Sequence, residues 1–363
     1  MYCPIIKNKL NEIKGLRQAI KQTSLIQVKP IIELVGTKNQ DINDFLNLLL
    51  DDTKVNGISD ILKNTECFID IPTYFPNQIF NDLSLTDHQV KYNFFLELSS
   101  KVKEAGCNDI TPVISFDYSH ETKMDSIRQN RVFARKIMQS FDNFAIRLFS
   151  SDLFKKEDLD IFWELYDFLP DKIEKATLII EVSSSSIDYV IKNIEEITTQ
   201  SNIKNIILAG ESFADSQKFD TELGYTRSKN IHLLNFNKIK KRFSNTSFNY
   251  ADFTITDKIQ SSIDIDSEKG FLYYPFIKYT TEDGNLCTFT ASNRGNYEQY
   301  GELCKKIIEQ VRNFSVSHCD TCDFINSIAS KSINDGFKAG SVWKYRMIAH
   351  YITTMRNLIN TVC

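Results

Sequence analysis

Five apolar runs of this chain each carry one charged residue near the C-terminal end. They are Ile31-Ile32-Glu33-Leu34-Val35, Phe68-Ile69-Asp70-Ile71, Val113-Ile114-Ser115-Phe116-Asp117, Ala145-Ile146-Arg147-Leu148 and Ile179-Ile180-Glu181-Val182. Side chains alternate faces along a strand, so the apolar neighbours point one way and the charge points the other. An isolated charge facing an apolar layer is too costly to persist. The simplest solution is a closed parallel barrel with helices packed outside. The charges then converge at the mouth formed by the C-terminal strand ends, where such barrels place their sites.

The rest of the chain fits this frame. Strands are expected over 27–35, 66–71, 110–118, 144–150, 176–183, 205–209, 252–256 and 274–280. Apolar residues at helical spacing fill most of the intervals. Residues 7–23 form an opening helix, and 342–358 form a closing amphipathic one. Residues 231–236 compete with 252–256 for the seventh strand, but they run into a basic amphipathic helix, so the later segment is preferred. The expected fold is an α/β, (βα)8 TIM-like barrel with an N-terminal helix and C-terminal helical additions. The barrel would span 1–315, and a helical extension, 316–363, would pack on it.

A chain of 363 residues with 42% hydrophobic and 25% charged residues can bury a large core without disulfides. The net charge of −4 gives no global basic field for nucleic acid. The cluster Lys238, Lys240, Lys241 and Arg242 reads as a solvated helix face. No signal-peptide core opens the chain and no run approaches the ~20 apolar residues of a membrane span, so a cytoplasmic location is expected. The eight cysteines are scattered and read as reduced thiols. There is no dinucleotide fingerprint, phosphate loop, Gly-x-Ser-x-Gly or His-Glu-x-x-His.

The expected mouth collects Glu33, Asp70, Asp117, Glu181, Asp252 and Lys278 as candidate catalytic groups. Arg147, Ser115 and Ser212 are candidate ligand-binding groups beside them, with Ser183 a further hydroxyl. Glu33, Asp70 and Asp252 could hold Mg²⁺ or Mn²⁺, which take oxygen ligands. Arg147 and Lys278 could clamp a phosphate. His120 is the histidine best placed for acid–base work. The competing reading is a self-satisfied salt-bridge network that fixes register. His318-Cys319-Asp320-Thr321-Cys322 holds a Cys-x-x-Cys, read as ordinary thiols. A zinc site completed by Cys304 or His350, or a redox pair, are the alternatives.

Asn249-Tyr250-Ala251-Asp252-Phe253-Thr254, Ile277-Lys278-Tyr279-Thr280, Asn293-Arg294-Gly295, Glu298-Gln299-Tyr300 and Trp343-Lys344-Tyr345-Arg346, then Ala349-His350-Tyr351-Ile352, follow in order. With Tyr2-x-Pro4-Ile5-Ile6-Lys7, Lys29-Pro30-Ile31-Ile32-Glu33 and Ile206-Ile207-Leu208-Ala209-Gly210-Glu211-Ser212-Phe213, this resembles the "beta protein" family of phage and bacterial proteins over nearly the whole chain. The family commonly has Gly-Asp-Tyr-Thr at 251–254, a His-His pair at 350–351 and Pro at 214; this chain has Ala251, Phe253, Tyr351 and Ala214. The resemblance implies a phage or phage-defence setting and no particular reaction. It adds Arg294, Arg346 and His350 to the ligand-binding candidates. The expected function is metal-assisted hydrolysis or transfer on a phosphate-containing substrate, phosphodiesterase-like, with a small-molecule or nucleotide ligand. The alternative is a non-enzymatic sensor or protein-interaction subunit of an anti-phage system, with a protein partner.

Overall fold

The apolar runs pair edge to edge as parallel strands in a computed structural model of the protein. It describes the chain except residues 23–27, 36–40, 52, 55–56, 73–84, 86, 117–122, 149–154, 183–186, 214–217, 220–224, 244, 257–273, 331–339 and 363. The strands are β1 (Tyr2–Lys7), β2 (Ile31–Glu33), β3 (Cys67–Asp70), β4 (Ile110–Ser115), β5 (Ala145–Leu148), β6 (Thr177–Glu181), β7 (Asn205–Gly210), β8 (Lys218–Phe219), β9 (Thr226–Ser228), β10 (Phe248–Asp252), β11 (Phe276–Thr280) and β12 (Leu286–Thr290). β1 to β7 and β10 close into a barrel of order β1-β10-β7-β6-β5-β4-β3-β2. Every neighbouring pair in it is parallel. Helices such as His88–Glu104, Lys123–Ser140, Lys155–Phe168 and Ile187–Gln200 connect successive strands. This is the expected (βα)8 architecture.

Alternation along the strands produces two separate cores. Cys3, Ile5, Ile31, Phe68, Val113, Ala145, Ile179, Ile207, Ala209, Ala251 and Phe253 fill the barrel interior. Their sequence neighbours, such as Ile6, Ile32, Ile69, Ile114, Ile146 and Ile180, pack in the larger cluster that includes the helix residues. Glu33, Asp70, Ser115, Arg147 and Glu181 share the parity of the interior set. Register aligns them in part: Lys7 stands opposite Glu33, Glu33 opposite Asp70, and Ser115 opposite Arg147, while Glu181 stands opposite Ala209.

Three strand expectations change. The first barrel strand is β1, a segment to which the sequence reading gave no strand; Pro4 within it offers no ladder donor. The segment expected as a strand at 252–256 pairs instead as Phe248–Asp252. Thr254 has φ of 57°, a left-handed turn that ends the strand. The segment expected as the eighth barrel strand, 274–280, is β11. It pairs antiparallel with β12 in a second sheet of order β11-β12-β9-β8, outside the barrel. An antiparallel hairpin closed by Thr281–Asn285 explains this, with Gly284 at φ 78°. Residues 231–242 form the helix the basic pattern suggested.

After the hairpin come the helices Tyr300–Gln310, Asp320–Ser330 and Gly340–Val362. The last packs along the N-terminal helix Leu10–Lys21. They approach so closely that a Cβ at Gly15 would lie 2.8 Å from Ile348 and from the Tyr345 carbonyl. Among the described residues no helix is long and apolar enough to cross a membrane.

Candidate functional site

At the C-terminal end of the barrel, one guanidinium organises three carboxylates from three different strands. Arg147 Nη1 donates to Glu33 Oε1 at 2.9 Å and to Asp70 Oδ2 at 2.5 Å. Its Nε and Nη2 donate to Glu181 Oε1 at 3.0 and 2.5 Å. Ser115 Oγ donates to the other Asp70 oxygen at 2.7 Å. The side chains of Arg147, Glu33 and Asp70 have no exposure, and that of Glu181 has 10%. Glu181 is therefore the member that reaches solvent. Sequence reasoning missed two further members. Lys7 is 1% exposed on β1, and its ammonium lies 5.7 Å from the Phe253 ring centroid. Arg147 lies 5.8 Å from the same ring, so Phe253 roofs both cations. The signal for Lys7 was present: an apolar run, Tyr2 to Ile6, ending in one charge. With three acids against Lys7 and Arg147, the cluster carries one excess negative charge when all five are ionised.

Asp252 does not join this cluster. It has the parity of Tyr250, opposite to the interior Ala251, and turns towards the helix layer. Tyr2 Oη donates to its Oδ1 at 2.9 Å, as does the Thr254 amide at 3.1 Å. Ser212 Oγ and Tyr351 Oη donate to its Oδ2 at 2.8 and 2.5 Å. Tyr250 Oη lies 3.2 Å from Ser212 Oγ. Burial and the Asp252 charge hold the hydroxyls of Tyr2, Tyr250 and Tyr351 well above the usual phenol range, so they remain donors. A carboxylate so completely bonded has no position for Mg²⁺ or Mn²⁺, and the expected trio Glu33, Asp70 and Asp252 is split between two faces of the sheet. Ser212, expected at the mouth, belongs to this outer node.

The remaining candidates lie elsewhere. Lys278 is on β11, outside the barrel, and its ammonium donates to the Ile255 carbonyl at 3.2 Å. With Arg147 directed at carboxylates, the expected Arg147–Lys278 phosphate clamp does not assemble. Arg294 is exposed between β12 and the helix Tyr300–Gln310. Arg346 stacks over the Phe324 ring at 3.7 Å. His350 is buried beside the Cys-x-x-Cys: its Nδ1 is 3.3 Å from Cys319 Sγ and 3.7 Å from Cys322 Sγ. Asp117, His120 and Ser183 lie outside the described residues. His232, not singled out in the sequence, is buried under β7 and β10. Its Nε2 lies 2.8 Å from the Ala251 carbonyl and 3.2 Å from that of Leu208, and burial lowers its pKa.

A protein-family model described as "Beta protein" matches residues 2–357. Comparison with curated proteins gives no significant match. Among solved structures, the spore cortex-lytic enzyme SleL of Bacillus cereus matches with a TM-score of 0.38 and 10% identity, over 98% of this chain and 74% of that one. A likeness at that level carries no functional inference.

Proposed function

This chain belongs to the Beta protein family, and we propose that its barrel mouth is an enzyme's active site for hydrolysis or group transfer on a phosphate-containing substrate. The observation behind this reading is the buried Arg147 guanidinium shared by Glu33, Asp70 and Glu181. Burying three acids with their counter-charges is an inefficient way to stabilise a fold, since apolar replacements are often as stable or more so. Clusters of this kind are concentrated at functional sites.

Within this reading, Glu181 meets the substrate, because it alone of the three acids reaches solvent. It takes up a proton as general base. Arg147 orients it, and Glu33 and Asp70 hold Arg147 in place. The solvent-facing carboxylate of Glu181 and the excess negative charge suit Mg²⁺ or Mn²⁺, with Glu181 as the residue that would hold it. Such a cation would supply Lewis-acid polarisation of a phosphoryl oxygen. It would also offset the acids, which otherwise repel a phosphate.

The test is a thermal-shift screen of the full chain against Mg²⁺, Mn²⁺, nucleotides and phosphosugars, followed by turnover assays on any hit. Ligand at 100 times its dissociation constant adds about 2.7 kcal/mol. The expected result is a shift in the wild type that Glu181→Gln loses while keeping its unliganded melting temperature. No shift with any compound would overturn the enzyme reading. It would favour the second one, a non-enzymatic sensor or interaction subunit in a phage-defence setting. The closed contacts of Arg147 with the fully buried Glu33 and Asp70 support that alternative.

A further inference from the structure

Away from the barrel mouth, three soft donor atoms meet where the helix Asp320–Ser330 begins. Cys319 precedes its first residue and Cys322 lies in its first turn, so both thiols point the same way. Cys319 Sγ and Cys322 Sγ are 3.7 Å apart. His350 Nδ1, from the middle of the helix Gly340–Val362, lies 3.3 Å from the first and 3.7 Å from the second. Zinc bonds of about 2.3 Å to sulfur and about 2.0–2.1 Å to nitrogen, at tetrahedral angles, place two sulfurs about 3.8 Å apart and sulfur and nitrogen about 3.6 Å apart. The three observed edges therefore match one face of a zinc tetrahedron. A ring nitrogen of His318 lies within 4.8 Å of Cys319 Sγ and of a ring nitrogen of His350, and the His318 Nε2 lies 3.0 Å from Thr354 Oγ1.

The surroundings fit the same assignment. His350 Nε2 lies 2.9 Å from the Thr280 carbonyl. That bond requires a proton on Nε2, which leaves the Nδ1 lone pair aimed at the two sulfurs. Orientation of a metal-bound imidazole by a backbone carbonyl is the usual outer-shell arrangement. The Tyr279 hydroxyl is 3.5 Å from Cys322 Sγ and can donate to a thiolate there. Cys322 and His350 are 0% and 1% exposed, and Cys319 is 9% exposed, which leaves a narrow path for entry. Cys304, considered from the sequence as a fourth ligand, is not in the cluster; His318 takes that place.

We propose that Cys319, Cys322, His350 and His318 form a structural Zn²⁺ site that ties the segment Val316–Ser330 to the last helix and to β11. On binding, the two thiols lose their protons to solvent and the metal takes two thiolates and two neutral imidazoles. No electron transfer is involved. Tyr351, next in sequence to His350, donates to Asp252, so the clip also steadies the node behind the barrel wall.

The experiment uses the full-length protein purified under reducing conditions, reconstituted with Zn²⁺ and desalted. Elemental analysis should give about one zinc per chain. Replacement by Co²⁺ should give the intense visible bands of tetrahedral cobalt with thiolate-to-metal charge transfer. His350→Gln and Cys322→Ser should each reduce bound metal about tenfold or more. Because either variant could fail to fold, the wild type is also titrated with a mercurial thiol reagent, and zinc release should track loss of two thiols. A chelator should lower the wild-type melting temperature. Negligible zinc after reconstitution with both thiols freely reactive would overturn the proposal. So would a Cys319–Cys322 disulfide, seen by peptide mass, in protein kept reduced throughout.

Discussion

Asp252 is the residue whose neighbours matter most. Among the described residues its carboxylate receives four donors and no cation. Each such bond to a buried charge contributes about 1.5–3 kcal/mol, and an orphaned donor costs about 1–3 kcal/mol. Tyr351→Phe should therefore lower stability by about 2 kcal/mol in urea unfolding, and Asp252→Ala by more, since it strands three hydroxyls and an amide. A neutral Tyr351→Phe would mean that Ser212 alone satisfies that oxygen. His232 makes a pH prediction. Burial lowers its pKa from the ordinary value, so the unfolded chain takes up the proton first as pH falls. Its contribution is complete above the unfolded value near 6.5 and is lost as pH drops through that value towards the lower folded one. The melting temperature should fall between about pH 7 and 5, and His232→Gln should flatten that slope. An unchanged slope would remove His232 from the account.

At the scale of elements, the backbone turns where chemistry needs a side chain re-aimed. Thr254, β-branched and at φ 57°, stops β10 immediately after Asp252 and brings its own amide onto that carboxylate. A strained residue of this kind stores about 1–3 kcal/mol. Its buried hydroxyl has no hydrogen-bond partner among the described residues. Thr254→Asn, which tolerates the left-handed region, should raise stability by up to about 1 kcal/mol; a drop would show that the methyl packing outweighs the strain. The crossing of Leu10–Lys21 and Gly340–Val362 tests the opposite case. Gly15→Val introduces atoms where a Cβ already meets Ile348 at 2.8 Å. Overpacking of this type costs about 1–3 kcal/mol, read as a lowered urea midpoint with unchanged slope.

For the whole molecule, the question is whether the Arg147 network serves stability or activity. A combined Lys7→Met, Glu33→Leu, Asp70→Leu, Arg147→Met and Glu181→Leu variant removes every charged member at once and leaves no orphaned charge among them. It should fold at least as stably as the wild type, whereas Arg147→Met alone should lose about 3–5 kcal/mol. A large loss in the combined variant would make the network structural. The sequence by itself determined the barrel and the level of the charges. Period-two alternation dictates which face each residue takes, and four of the five marked runs deliver Glu33, Asp70, Arg147 and Glu181 to one interior. Ending registers were not readable in this way. Asp252 falls on the outer face because its neighbours Ala251 and Phe253 take the barrel interior, and alternation then turns Asp252 the other way. Lys278 leaves the barrel because a strand's partner is chosen by which edge is free, which local pattern does not encode. Lys7 enters because closing the barrel needs an eighth strand, and β1 supplies it despite Pro4. The meeting of Cys319, Cys322 and His350 was open to the sequence only as an alternative. It depends on how two helices dock, and docking is decided by contacts far apart in the chain.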